Sequence, residues 1–435
     1  MAPAPYTSAL AESLAPDLLD RFQRYVRVDT QSRPQRTGSP STPGQLDLGR
    51  LLVSELHEAG IADAFLDDNG YVVASLHPVG VESGGPTIGL IAHMDTSPAA
   101  PGKGVEPLVH REWDGGVIEL PREGTRLDPA AMPEMNAKLG HDLVTGSGDT
   151  LLGADDKAGV AAIMAAVARL AADPQLPRPH LRIAFTPDEE IGLGASLFDI
   201  ERFGALCAYT IDGSELGQLQ DETFSAVEVT LTVHGVDVHP GYATDKLVSA
   251  LRLAARIIAA LPADTLAPET TSGREGFIHP YSISGTPGQA QVTAIVRDFD
   301  DERLERHVAL LKRTAADVVG AEPRASLEFD VKPQYRNMRR HLDAAPYATD
   351  AAEEAMRAEG LDPIRVPIRG GTDGSLLSEM GLPTPNIFTG GHEFHSVREW
   401  ASVQDMAASA ATIIRLAEVW TRPQFVAAAA NNGRS

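Results

Sequence analysis

Apolar residues recur at helical spacing at Leu18, Leu19, Phe22, Tyr25 and Val26, and again over residues 46–56, which predicts two amphipathic helices. Between them a Ser/Pro/Thr/Gly-rich stretch, residues 32–44, is expected to be a mobile loop. Asp68-Asn69-Gly70 joins two short β-prone runs, 64–66 and 71–76, and signals a hairpin. An apolar strand over 87–92 then delivers His93. Residues 97–148 are rich in Pro and Gly with little periodicity, so loops and a short helix are expected there. A helix over 157–170, a strand over 180–186, a short helix near 194–202 and a strand over 206–211 follow. This alternation predicts an α/β domain built on a parallel sheet.

The pattern changes after Asp212. Residues 227–233 alternate like a half-buried strand, 246–261 form an amphipathic helix, 277–284 and 289–297 read as strands, 302–318 as a helix and 325–331 as a strand. The order βαββαβ is that of an α+β ferredoxin-like unit, inserted into the first domain and bounded by 217–223 and 333–338 as candidate hinges. The last hundred residues return to α/β character: a helix over 345–359, a strand near 364–367, the run Arg369-Gly370-Gly371-Thr372-Asp373-Gly374, a strand near 385–388 and a helix over 403–420. The expected organisation is 1–221, the insert 222–338, and 339–435, with a frayed tail from Ala427.

Composition agrees with two domains, since 435 residues exceed the size at which one core stops growing. The formal net charge of -23, from 37 Lys+Arg against 60 Asp+Glu, supplies no electrostatic footprint for nucleic acid or an anionic membrane. Cys207, the only cysteine, lies in an apolar run, so a buried thiol is expected and neither a disulfide framework nor a cysteine zinc site. Met1-Ala2-Pro3-Ala4-Pro5 is not a basic segment leading into an apolar core, and no run of eighteen apolar residues occurs. A cytoplasmic protein is the expectation.

Candidate chemistry collects where apolar runs end. His93-Met94-Asp95, Asp188-Glu189-Glu190, Ile211-Asp212-Gly213 and His392-Glu393-Phe394-His395 each follow such a run, and Gly153-Ala154-Asp155-Asp156 opens the long apolar helix. In an open α/β sheet, ligands bind outside the carboxyl ends of the strands, so distant segments can converge on one site. Ions that activate water at neutral pH need neutral imidazole and ionised carboxylate ligands, with one ligand shared when two ions sit close together. His93, Asp155, Glu190, Asp212 and His395 have that composition, and Asp155 reads as the bridge. Asp95 could accept the other ring N–H of His93 and fix its tautomer. Glu189 and Glu190, being consecutive, point apart on an extended strand end; one can bind metal while the other moves a proton. Taken singly, each signal has a plainer reading: a surface pair for His93 and Asp95, helix-start carboxylates for Asp155 and Asp156, solvated loops for the rest. Only their coincidence at strand ends changes the odds.

These residues, with Phe185-Thr186-Pro187 and the Arg369–Gly374 run, resemble the M20 metallopeptidases and, within them, the tripeptide aminopeptidase branch. The resemblance runs from about Asp17 to the final helix. It implies a zinc-exopeptidase catalytic domain with the ferredoxin-like insert as a lid. It also implies that His93, Asp155 and Asp212 bind one zinc and Asp155, Glu190 and His395 the other, with Glu189 as general base and the Asp155–Asp156 peptide bond cis. Cobalt or manganese stay open as the metal in the cell. Val238-His239-Pro240-Gly241 and Ile295-Val296-Arg297-Asp298 match lid motifs of the family. By resemblance His239 would stabilise the oxyanion and Arg297 would grip the C-terminal carboxylate of a short peptide substrate, as an Arg fork can. Arg369 is either a second carboxylate contact or a loop anchor. Family members often dimerise through the lid, so a homodimer is carried as an expectation.

Two departures stand out. The family carries Tyr-Asn-Tyr-His-Gly-Lys-His-Glu-Phe where this chain has His392 to Trp400, and Asp212-Gly213 is followed here by Ser214-Glu215 in place of glycines. Both bear on peptide preference more than on metal hydrolysis. The rival readings are a dipeptidase or an N-acyl amino acid deacylase of the same family, and, from other classes, a metal-stabilised binding protein or an RNA-binding insert. Glu189 argues against the third, and the acidic charge, with no aromatic RNA-binding motif in the insert strands, against the fourth.

Overall fold

The computed structural model describes residues 5–81 and 85–432. The chain divides into two compact units, one comprising Met1–Asp221, Arg340–Val366 and Thr372–Ser435, the other Glu222–Arg339 and Pro367–Gly371.

The first unit is built on an eight-stranded sheet in the order Phe65–Leu66, Val72–Leu76, His180–Thr186, Thr87–His93, Cys207–Gly213, Asn386–Phe388, Gln218–Thr223, Ile364–Ile368. Its four central strands are parallel. Towards the edges it turns antiparallel, through the 65–76 hairpin, the pairing of Val72–Leu76 with His180–Thr186, and the pairing of Gln218–Thr223 with Asn386–Phe388. The sheet is therefore mixed where a parallel one is expected; the 65–76 hairpin must be antiparallel, and the other two antiparallel pairings join strands distant in sequence. The stretch 217–223, expected as a hinge, is largely one of these strands.

The helix Ala154–Ala172 is buried on nearly every face, its Val, Ile, Leu and Ala side chains packed in the core that also takes Ala9–Val26 and Val403–Val419. A helix apolar all round belongs inside, and its many alanines let neighbouring backbones approach. Ser8 and Ser402 cap the two flanking helices by accepting from Ala11 N and Asp405 N. Residues 97–148 contain the expected short helix, Pro133–Lys138, but also the strands Leu108–His110, Ile118–Glu119, Arg126–Leu127 and Leu143–Thr145, too short to leave a period. The region expected as a helix over 194–202 is helical only at Ile200–Phe203, and the tail expected to fray is the helix Pro423–Asn432; residues 433–435 lie outside the described residues.

The loop over 32–44 is tied down where mobility is expected. Buried Asp188 accepts from Ser41 N at 2.8 Å, Gln45 Nε2 at 2.8 Å and Arg36 at 3.3 Å, and from the Ser41 hydroxyl. A loop whose polar groups are claimed by a buried carboxylate does not behave as its composition suggests.

The second unit has the order βαββαβ and an antiparallel sheet Phe277–Gly285, Gln289–Asp298, Ser225–His234, Ser326–Tyr335, with helices Ala250–Ala259 and Asp301–Gly320 packed on its apolar face. The unit also takes residues 367–371, where Phe224 N donates to Ile368 O at 3.1 Å. Among the described residues no helix is long and apolar enough to cross a membrane.

Candidate metal centre

His93 ends its strand with the imidazole buried, and Asp212 lies at the end of the adjacent parallel strand. Asp155 stands at the opening of the Ala154–Ala172 helix, where it and Asp156 have non-helical backbone angles and the bond between them is cis. Glu190 sits in the one-turn helix Glu189–Ile191 that follows His180–Thr186, and His395 in the loop after Gly391–His392.

These residues converge. His93 Nε2 lies 2.9 Å from Asp155 Oδ1 and 3.6 Å from Asp212 Oδ1; His395 Nε2 lies 3.1 Å from Asp155 Oδ2 and 2.8 Å from Glu190 Oε2. Asp155 thus turns one oxygen to each histidine. The ligand atoms of His93, Asp155 and Asp212, and those of Asp155, Glu190 and His395, each fall within 4.8 Å of one another.

Buried carboxylates hold the backbone of these residues. Asp95 Oδ1 accepts from Glu189 N at 2.9 Å and Oδ2 from Glu190 N at 3.2 Å, while the Asp95 carbonyl lies 3.1 Å and Oδ1 3.4 Å from His93 Nδ1. The hydrogen-bond partner of the His93 ring is thus the Asp95 carbonyl, with the carboxylate farther off, and the carboxylate itself fixes the Glu189–Glu190 turn. With Asp188 at φ 59° the strand ends before that turn, so the glutamates are helical and not extended; Glu190 meets His395, and Glu189 lies in the field of His93, Asp212, Asp373 and Glu190. Asp156 Oδ2 accepts from His93 N at 3.2 Å and Oδ1 from Gly159 N at 3.1 Å, so it keeps the helix-start role that its position suggests. Asp212 N donates to Asn386 Oδ1 at 2.9 Å.

Burial resists charging His93, but Asp155, Asp212 and Asp95 outweigh it and hold its pKa well above the usual range. Asp155 and Glu190 raise His395 to about 11. Burial also raises Asp155, but His395 and His93 override it and leave that carboxyl below the ordinary range. The remaining acids are pushed up, first by burial and then by one another: Glu190 to about 8, Asp212 to about 6, Asp373 to about 7, and Glu189 well above normal. Carboxylates crowded to this extent are protonated or paired with cations, and a bound cation reverses the field each one feels. Glu190 Oε1 is buried without a hydrogen-bond partner among the described residues. The donor set is imidazole and carboxylate only, which suits zinc and its first-row neighbours, so the residues fit a pair of metal ions.

A third group, Glu215, His392 and Asp405, also gathers potential ligand atoms, and it unites the two departures from the family pattern. Its cation position is taken by the buried Lys138, whose Nζ lies 2.7 Å from Asp405 Oδ2 and contacts Glu215. His392 stacks on Trp400 with centroids 4.1 Å apart.

His239, Arg297 and Arg369 belong to the second unit. His239 is exposed, and its Nδ1 accepts from Gly241 N at 3.1 Å. The Arg297 guanidinium lies 6.0 Å from the Phe277 ring centroid and 5.9 Å from that of Tyr335, donates to Arg369 O at 3.4 Å, and keeps Nε without a partner among the described residues. Arg369 donates to Gly273 O at 3.1 Å and Thr271 Oγ1 at 2.9 Å.

Three buried residues beside the candidate ligands carry no local mark of their partners: Asp373, which accepts from Thr186 Oγ1 at 2.7 Å, Lys157, whose Nζ donates to Val28 O at 2.8 Å, and Glu399. Asp373 lies inside the Arg369–Gly374 run and Lys157 directly follows Gly153-Ala154-Asp155-Asp156, which is the available signal. Glu399 matches the glutamate of the family run set against residues 392–400, but that match says nothing of its partners, which are backbone groups nearly 250 residues away.

A sheet that gathers two carboxylate–histidine sets around one shared aspartate defines a metal-dependent hydrolase. The chain belongs to peptidase family M20/M25/M40, whose sequence profile matches residues 151–419. It is 45% identical over 402 residues to peptidase T of Vibrio parahaemolyticus, covering 92% of this chain and 98% of that one. Among solved structures it is similar to aminopeptidase PepT of Bacillus cereus, with a TM-score of 0.72 at 23% identity over 94% of this chain and 99% of that one. It also shares its fold with a dinuclear metal-binding M20 peptidase of Bacillus subtilis, with a TM-score of 0.61 at 15% identity over 94% and 98% of the two chains.

Proposed function

We propose that the chain is a dinuclear metallo-aminopeptidase that releases the N-terminal residue from short peptides, tripeptides first. The observation that carries this reading is the division of Asp155 between His93 and His395, one carboxylate oxygen to each. His93, Asp155 and Asp212 would hold one ion and Asp155, Glu190 and His395 the other, with zinc foremost and cobalt or manganese as alternatives. Ions bound there supply Lewis acidity toward a carbonyl oxygen and lower the pKa of water.

Glu189 is the general base: it takes a proton from water and passes it to the leaving amine. Its backbone lock on Asp95, and a carboxylate that lies in the field of His93 and Asp212, support that role. His239 donates to the oxyanion, since an Nδ1 that accepts from Gly241 N leaves the neutral ring its proton on Nε2. Arg297 takes the peptide's terminal carboxylate, a role supported by its unclaimed Nε. The bonds of Arg369 to Gly273 and Thr271 support the loop-anchor role over a second carboxylate contact.

The second unit acts as the lid, and cytoplasmic residence and a homodimer through that unit complete the reading. Tyr281 and Ile283 on one edge strand of its sheet, and Val331 on the other, are exposed apolar side chains that pairing would cover.

Metal-loaded protein incubated with a free tripeptide, its N-acetylated form and the matching dipeptide, with products followed by mass, tests the activity. Release of the N-terminal residue from the free tripeptide alone is expected. Cleavage of only the acetylated peptide would make the chain a deacylase, and of only the dipeptide a dipeptidase.

A further inference from the structure

Asp155 and His395 are 240 positions apart and approach within 3.1 Å, and a side chain that touches neither imidazole nor metal position spans the segments that carry them. Glu399 is buried and lies four residues after His395. Its Oε2 accepts from Leu152 N at 2.8 Å and Gly153 N at 2.7 Å, and its Oε1 from Asp155 N at 2.9 Å. Its own N–H donates to Ser396 O at 3.3 Å, which closes the turn that directly follows His395. On its other side Trp400–Ser402 pairs with Leu143–Thr145, so the main chain at Glu399 is fixed by a sheet while its carboxylate grips the Asp155 turn.

We infer that Glu399 is a positioning residue that sets the distance between Asp155 and His395 and thereby the geometry of the Asp155–Glu190–His395 metal set. The inference rests on the dinuclear reading given above. Three N–H groups at the opening of a buried helix are all taken by this one side chain, and only a carboxylate presents acceptors at both ends of the fork. An amide in its place would turn an NH2 group towards at least one of them. The same logic recurs in Asp95 and Asp156, which accept from the N–H groups of Glu190 and His93, but Glu399 alone among these three lies on the His395 segment.

Zinc titrated into the metal-stripped full chain, in competition with a chromogenic chelator, tests this in wild type, Glu399→Gln and Glu399→Asp, with far-UV circular dichroism run on each. Wild type is expected to take two ions. Glu399→Gln should weaken the weaker ion by about 10–100-fold, as removal of groups that orient ligands does. Glu399→Asp, which keeps the charge but falls short by one methylene, should weaken it by less, and it carries the test if the Gln variant does not fold. Wild-type affinity for both ions in the folded variants would overturn the inference, since a purely structural carboxylate changes stability and not metal affinity. Fewer than two ions in wild type would instead overturn the dinuclear reading.

Discussion

Gly159 sits in the helix Ala154–Ala172 where that helix crosses the strand Cys207–Gly213, and the substitution Gly159→Ala opposes two effects of comparable size. Alanine favours an exposed helix interior over glycine by about 1 kcal/mol. Here a Cβ would stand 1.8 Å from the carbonyl oxygen of Ile211, where ordinary contact begins at 3.4 Å, and 2.4 Å from Asp156 Oδ1. The first obstacle is main chain, so no rotamer change relieves it and helix and strand must separate by more than an ångström. Overpacking of a tight core costs about 1–3 kcal/mol, and a main-chain obstacle places this site at the upper end, so after the roughly 1 kcal/mol gained by alanine the net loss of stability should be about 2 kcal/mol. Ile211 precedes Asp212, and Asp156 holds His93 N, so the separation should also spread the first ligand set. A misplacement of about 1 Å is worth on the order of 100-fold in rate. Urea unfolding followed by tryptophan fluorescence reads the first effect, because Trp113, Trp400 and Trp420 are all buried in the first unit; turnover of a free tripeptide reads the second. A Gly159→Ala protein as stable as wild type, with unchanged turnover, would refute the steric argument.

Glu189→Gln should lower kcat by about 100- to 10,000-fold while the protein still takes up two ions, measured by turnover and by metal analysis of the same sample. Lys138→Met should destabilise the first unit by about 3 kcal/mol, read by urea unfolding, because it leaves the buried Asp405 carboxylate, with half-buried Glu215 beside it, without the lysine counter-charge. Burial tends to raise Asp298, but His307, the Asp300 N–H and Arg303 prevail and hold it below its ordinary 3.8. A depressed folded pKa contributes stability that is present above the unfolded value and lost as pH falls through the folded one. Asp298→Asn should therefore be less stable than wild type at pH 6, with the gap closing below about pH 4, as measured by thermal unfolding across that range.

The sequence by itself determined the elements and the chemical types at the centre. Period-3.6 runs marked the long helices, alternation marked the inserted unit, and His93, Asp155, Glu190, Asp212 and His395 are recognisable because metal chemistry restricts ligands to a few side chains. Local pattern also held for the hairpin around Asp68-Asn69-Gly70, whose turn chemistry acts within a few residues. Only the tertiary structure decided which strands run antiparallel at the sheet edges, that the proline-rich loop is fastened by Asp188, that Lys138 fills the cation position among Glu215 and Asp405, and that Glu399 holds the Asp155 turn. Each of these depends on a bond between groups far apart in the chain. Hydrophobic period records which face of an element is buried, whereas a buried carboxylate's partners are set by where the packed core brings distant backbone N–H groups, and no local run of residues encodes that meeting.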